Sequence, residues 1–330
     1  MNICIIGAGV TGLSTLLLLQ ESGADMSQVT IIDPHFDGGD LARKWTAVQS
    51  NTPWSKTINA LSNHCPSLKI DSSFDPTQTT PLVEIANLLR NLVKWETVKR
   101  VQGSATKANY SSETRAWTIY VDGQEITATK LILAQGSEPK RMDISIPSIP
   151  LEIAIDANRL KYMVKKGEKV LVFGTLHSGT LVIRNLVEAG ARVVAYYNSA
   201  EPFYWDRDGV YDGIKAEAAD IADDIVAGKI PVELVPINDT SKVIRTSHNA
   251  EWVVYSMGFL PRNTIELRVD SVVKSTLSYD GKNGSLNEVP AAWGFGVAYP
   301  NLAPDGIHWD VSVAAFLEHI KLQIPDLLRP

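Results

Sequence analysis

The sequence predicts an α/β protein, and three observations carry that expectation. A strand, a glycine-rich turn, a helix and a second strand follow one another between residues 2 and 33; the same arrangement returns from residue 169; and short β-rich runs with a hairpin turn fill part of the interval between them. Strands alternating with helical segments are the pattern of parallel sheets covered by helices.

The first unit opens on Asn2 to Ile6, apolar and β-rich, which breaks into Gly7-Ala8-Gly9-Val10-Thr11-Gly12. An apolar helix is expected from Leu13 to Gln20, then a strand from Val29 to Ile32 that ends on Asp33. Gly7 suits the tight turn, Gly9 lets backbone approach a diphosphate, and Gly12 lets helix and strand pack closely. The helix N-terminus offers free N–H groups and a partial positive charge to phosphate. Asp33, about twenty residues beyond the last glycine, is placed to accept a hydrogen bond from a ribose. Two strands, the helix and the acid in this order point to a dinucleotide site.

Pro34 to Asp40, with Gly38-Gly39, is expected as a loop. Leu41 to Leu61 is polar and aromatic without a clean period, a stretch suited to wrap a ligand rather than to build a sheet core. Pro81 to Trp95 places Leu82, Ile85, Leu88, Leu89 and Leu92 on one helical face, opened by a proline. Val98 to Ala105 and Ala116 to Val121 alternate like strands, and Asp122-Gly123 is a hairpin turn. Lys130 to Ala134 is a buried strand running into Gln135-Gly136.

The second unit has Lys169 to Phe173 as strand, Gly174 to Gly179 as turn, Thr180 to Ala189 as helix and Arg192 to Tyr197 as strand, an internal duplication of the first. Ala216 to Ala227 reads as an amphipathic helix and Trp252 to Tyr255 as a strand. Strand-like pieces beyond Leu267, then Ala292 to Gly296, lead to a final helix from about Val311 to Ile320. Proline-rich stretches at Pro139 to Pro150 and near Pro261 mark two expected hinges.

Composition narrows the function classes. An apolar content of 45% and a charged content of 21% fit a globular chain with a sizeable core. A net charge of -6, with no clustering of Lys and Arg, argues against a nucleic-acid partner. Cys4 and Cys65 make no disulfide framework, which points to a reducing, cytoplasmic setting. The N-terminal apolar run is read as a strand and not a leader, and no stretch is long enough to span a membrane. Neither metal-ligand spacing nor a Ser-His-Asp arrangement is evident.

The motif order resembles the flavoproteins with two dinucleotide domains, the group that holds thioredoxin reductases and flavin-containing monooxygenases. The residues that carry it are GAGVTG from Gly7, LILAQGSEPKR from Leu131, VLVFGTLHSG from Val170, VVYSMGFLPR from Val253 and AWGFG from Ala292. The resemblance implies a three-layer Rossmann-like FAD domain in two segments, residues 1–150 and 266–330, with a second Rossmann-like NAD(P)-binding-type domain, 151–265, inserted between them. It implies FAD contacts from the turn (Gly7, Gly9, Val10, Thr11, Gly12), from Asp33 and Pro34, and from Leu41, Trp45, Asn51 and Thr52 beyond them. Ala134-Gln135-Gly136 matches the family's Ala-Thr-Gly strand end. Gly294-Phe295-Gly296 sits where the family carries Gly-Asp for the ribityl chain; Val297 follows Gly296 here, so that contact is absent or made by backbone.

Branches of the group differ in chemistry. No CxxC pair is present, so dithiol exchange through the chain's own cysteines is not expected. Ser50-Asn51-Thr52-Pro53 with Lys56 resembles the Thr-Asn-x-Pro-Lys stretch of the monooxygenases, which implies that Asn51 lies beside the reactive edge of the flavin and supports its oxygen chemistry. Read from the residues alone, the same stretch is also a plain Asn-Thr-Pro turn. Trp45 and Trp54 either wall the flavin or pack as ordinary loop aromatics. Gly258-Phe259 resembles the motif linking the two nucleotide sites.

The second turn departs from the pattern. Leu176 stands where approach to a diphosphate favours glycine, although His177-Ser178-Gly179 resembles the monooxygenase Asn-Ser-Gly. Tyr197-Asn198-Ser199 offers neither a carboxylate for NAD nor an arginine for the NADP phosphate, and Arg207 is the nearest arginine. NADPH or NADH therefore remains open, with Gly174, His177, Ser178 and Gly179 as the contacts if one binds. His177 sits over a nicotinamide pocket or caps the following helix. Tyr204 to Asp208 is a lid or a solvated loop. The last helix, after His308-Trp309-Asp310, is implied to stabilise the reduced flavin. The expected function is an FAD-dependent oxidoreductase, monooxygenase-like, in which NAD(P)H reduces FAD and oxygen is passed to a small nucleophilic substrate. A flavin oxidase or dehydrogenase and a non-catalytic FAD-binding protein are the alternatives. Partners reduce to the substrate, with no nucleic acid or membrane and a homodimer left open.

Overall fold

The first strand, Ile3–Ile6, alternates its side chains between two faces, and both faces are buried. Ile3 and Ile5 enter one apolar cluster, Cys4 and Ile6 another, as in a sheet covered on both sides. The computed structural model describes residues 1–70, 73–203, 211, 214–262, 265–275, 277–303, 306 and 309–329. By contacts between residues these form two compact units, one of Met1–Thr46, Pro53–Glu138 and Leu260–Pro330, the other of Ala47–Thr52 and Pro139–Phe259.

In the first unit five parallel strands lie in the order Ala292–Gly294, Lys130–Leu133, Ile3–Ile6, Val29–Asp33, Lys99–Gln102. Helices Val10–Glu21, Leu82–Leu92 and Val313–Leu328 cover one face, through Leu13, Leu16, Leu17, Ile85, Leu89, Phe316, Leu317 and Ile320. A mostly antiparallel sheet covers the other, with Ala108, Tyr110, Trp117 and Ile119 against Cys4, Ile6, Leu131 and Leu133. The chain is α/β, and this unit is the expected three-layer arrangement. The second unit has four parallel strands in the order Glu233–Pro236, Arg192–Tyr197, Lys169–Phe173, Trp252–Tyr255.

Several elements differ from expectation, each for a stated reason. The strand expected from Val98 to Ala105 ends at Gln102, and a strand the periodicity hid, Ala105–Ser111, follows. Its register slips between Ala105 and Lys107, so Ala105, Ala108 and Tyr110 face inward without a strict period of two. Leu41 to Leu61 is not a ligand-wrapping coil throughout: it contains helix Asp40–Arg43 in part and the start of helix Trp54–His64. The latter buries Trp54, Thr57, Ala60 and Leu61, a face masked in sequence by its small and polar members. Helix His177–Glu188 begins at His177 rather than Thr180, with Leu176 as N-cap. The final helix runs Val313–Leu328, and Ser312 Oγ accepts from the Ala315 N–H as its cap. The hairpin at Asp122-Gly123 is as expected, with φ of 46° and 84°. The Tyr204 to Asp208 cluster and His308 fall outside the described residues. Among the described residues no helix is long and apolar enough to cross a membrane.

Candidate functional site

The strand order of the first unit reverses between Ile3–Ile6 and Lys130–Leu133, and at such a point a crevice opens beyond the strand ends. The first glycine turn lies there. Gly7 has φ of 105°, and a Cβ on it would overlap the Ala134 carbonyl at the end of the neighbouring strand. A Cβ on Gly12 would overlap the Gly7 carbonyl, so this residue keeps the helix against the turn. Gly9, with φ of -77° and ψ of -172°, is the N-cap and supplies no side-chain cap; no acid sits in the first helical turn. The N–H groups of Val10, Thr11 and Gly12 have no partner inside the helix. Such an end can hold an anion.

Segments distant in sequence close around this turn. Gly38 pairs with Gly9 as a β-bridge, and Gly39, with φ of 74°, lies so close that a Cβ on it would come within 2.8 Å of the Gly9 Cα. A Cβ on Gly296 would overlap the Thr11 hydroxyl, which brings the Gly294-Phe295-Gly296 stretch onto the same helix end. Asp33 is 6% exposed: Oδ2 accepts from the Ala8 N–H at 2.8 Å, and Oδ1 accepts from the N–H groups of His35 and Phe36 at 2.8 Å each. The carboxylate thus holds the turn itself. Arg262, not among the site residues expected from sequence, donates to the carbonyls of Gln135 and Ser137, each at 3.1 Å, and pairs with Asp40. It ties the Ala134-Gln135-Gly136 strand end to the residue after Gly38-Gly39. Its sequence signal was only its place at the end of the Val253 to Arg262 motif.

The remaining expected contacts differ in their exposure. Pro34 is exposed, Leu41 packs against the core, and Val297 is 40% exposed. Trp45 is half-buried, whereas Trp54 is buried at the start of its helix, edge-on to Phe74, and so packs rather than walls an open site. Asn51 is exposed and Thr52 half-buried, in the 47–52 segment that groups with the second unit. Ser50 Oγ donates to the Thr52 carbonyl, holding this segment as a turn. A cleft of about 290 Å³ lined by Lys130, Trp293 and Gln323 lies by the first residue of the Lys130–Leu133 strand, the end opposite the glycine turn.

In the second unit the strand order also reverses, between Lys169–Phe173 and Trp252–Tyr255. Gly174 has φ of 99° and a Cβ on it would overlap the Ser256 carbonyl; one on Gly179 would overlap the Gly174 carbonyl. His177 is not outside the helix as a cap but is its first residue. Burial pushes its pKa down, and Nδ1 is buried with no partner among the described residues, as is the Ser256 hydroxyl. Ser178 is half-buried on the same helical turn.

Residues 4–264 match the family of pyridine nucleotide-disulphide oxidoreductases. The chain belongs to this family. A curated relative, monooxygenase AgnR1 of Paecilomyces divaricatus, is 23% identical over 379 aligned residues, 97% of this chain and 96% of that protein. The bacillithiol disulfide reductase Bdr of Staphylococcus aureus shares the fold at a TM-score of 0.67, with 14% identity over 99% of this chain and 98% of that one. Thioredoxin reductase of Lactococcus lactis has a TM-score of 0.60 and 12% identity, covering 99% and 97%. OTEMO, solved in complex with FAD and NADP, has a TM-score of 0.57 and 17% identity, covering 99% and 86%.

Cys4 and Cys65 are both fully buried, on opposite faces of the parallel sheet. Burial pushes the Cys4 thiol up to about 12, and burial with the nearby Glu21 carboxylate pushes Cys65 up to about 11. Neither is a thiolate at neutral pH.

Proposed function

We propose that this chain is an FAD-dependent oxidoreductase with monooxygenase-like chemistry on a small nucleophilic substrate. One observation carries the FAD reading: an uncapped helix end, the glycine turn, Gly39 and the Ala134 strand end converge on one switch-point crevice in the first unit. When bound there, FAD supplies the two-electron chemistry and the reaction with oxygen.

The chain's own part is binding and orientation. The N–H groups of Val10, Thr11 and Gly12 donate to the diphosphate, and the absence of a Cβ on Gly9 lets it come close. A carboxylate has about four lone-pair sites, so Asp33 retains one for a ribose hydroxyl after its three backbone bonds. Gln135, whose backbone nitrogen lies near Gly7, Gly136 after it, and Gly296, which lies against Thr11, are assigned to the cofactor on this reading. The oxygen-transfer part of the reading is supported by the AgnR1 likeness and by the resemblance of Ser50-Asn51-Thr52-Pro53 to the monooxygenase stretch in which the asparagine supports oxygen chemistry.

The test is a yellow protein that, given a reductant, oxygen and a nucleophilic amine or sulfide, couples oxygen uptake to oxygenated product. Asn51→Ala is expected to keep the FAD content and to lower product per oxygen consumed by roughly tenfold or more. A colourless protein that takes up no FAD removes the reading altogether.

A second reading, a flavin oxidase or dehydrogenase that draws electrons from its substrate, is favoured by Leu176 in the second turn. It predicts that substrate alone bleaches the flavin under anaerobic conditions.

A further inference from the structure

Of the three glycine positions of the first turn, the second turn keeps the first and last and departs at the middle one. Their first glycines have φ of 105° and 99° and each abuts the carbonyl that ends the adjoining strand. Their last glycines each abut the carbonyl of the first. The middle residue is the helix N-cap in both, with φ and ψ of -77° and -172° for Gly9 and of -76° and -162° for Leu176. Any L-residue adopts this extended backbone without strain. Glycine at the middle position is therefore not demanded by the turn; it is demanded by what must approach the turn.

Leu176 occupies this N-cap position and is 46% exposed, so it is not drawn into the core. Phosphate oxygens bonded to the first-turn N–H groups must come within about 2.7–3.2 Å of nitrogen. Four side-chain carbons at the N-cap compete for that space and offer no hydrogen bond in return. Burial pushes the His177 pKa down, and the strand Arg192–Tyr197 runs on into Asn198-Ser199, neither of them an acid for a ribose or an arginine for a phosphate.

We infer that Leu176 is a specificity-determining residue that excludes the diphosphate of NADPH and NADH from the second turn. The inference goes beyond the proposed function: it concerns the electron donor and is independent of whether the first turn holds FAD.

The test is calorimetric titration of the full-length protein with NADP+ and NAD+, comparing wild type with Leu176→Gly, Leu176→Ala and Leu176→Ile. Wild type and Leu176→Ile are expected to show no saturable binding up to about 1 mM, and Leu176→Gly to bind at least about tenfold more tightly. Glycine at an N-cap costs only a few tenths of a kcal/mol relative to good caps, so the variant folds; Leu176→Ala serves as the second variant. Tight binding to wild type, or no gain in Leu176→Gly and Leu176→Ala, overturns the inference. The FAD absorbance of the same samples reports on the proposed function separately.

Discussion

Gly9 and Gly12 belong to one motif but answer to different forces. A Cβ on Gly9 would lie 3.8 Å from the Gly39 Cα, an ordinary contact, whereas one on Gly12 would overlap the Gly7 carbonyl. Gly9→Ala is therefore expected to keep the melting temperature within a few degrees while FAD affinity falls about tenfold or more, because the added carbon stands in the diphosphate's approach. Gly12→Ala is expected to cost about 3 kcal/mol or more, since packed backbone must move apart. Paired flavin titrations and thermal melts separate the two; equal losses of stability would contradict the division of roles. At Asp33 the sequence pointed outward to a ribose, and the structure adds an inward role, with three backbone N–H groups on the carboxylate. Those bonds are invisible in sequence because they depend on where Ala8 lies once the turn has closed.

At the scale of elements, the strand–turn–helix–strand units were legible because each is local: alternation, glycine spacing and an apolar helix sit within about thirty residues. The Ala105–Ser111 strand was not legible, because a bulge breaks its period and one neighbour, Glu266–Val269, joins it from far along the chain in parallel register. The Arg262–Asp40 pair is likewise a long-range event, joining Asp40 to the 135–137 strand end. Both partners are mostly buried, with side-chain exposures of 24% and 16%; without Arg262, Asp40 keeps only the longer contacts to Arg43 and Lys44, and the 135 and 137 carbonyls lose their donor. Arg262→Met is expected to lower stability by about 2 kcal/mol and to weaken FAD binding, because the Gly38-Gly39 segment loses its tether. Asp40→Asn, which keeps a hydrogen bond, is expected to cost less in both measurements. The final helix offers a simpler check: Ser312→Ala removes the Oγ cap on the Ala315 N–H and is expected to cost about 1 kcal/mol in chemical denaturation.

For the molecule as a whole, the buried imidazoles set a direction for stability against pH. His319 is 1% exposed, lies edge-on to Phe295 at 5.3 Å, and its Nε2 has no partner among the described residues. Burial pushes its pKa below the ordinary histidine value, as it does for His177. Below about pH 6.5 the unfolded chain binds protons that the folded chain refuses, so stability is full above that pH and falls as pH drops toward the folded value. Melting temperatures between pH 8 and pH 5 are expected to decline, and to decline less steeply in His319→Leu; an unchanged slope would show that His319 does not contribute to acid stability.

The α/β class, the two glycine-turn units and the departures at Leu176 and the cysteines can be read from the residues alone, because each is written in neighbouring positions whose spacing has one physical use. Which segments meet the first turn, where His177 starts its helix, and the burial of both thiols on opposite faces of a sheet follow from the folded arrangement. Those outcomes depend on packing between segments up to hundreds of residues apart, as Arg262 and Asp40 are, and no local periodicity encodes the partner.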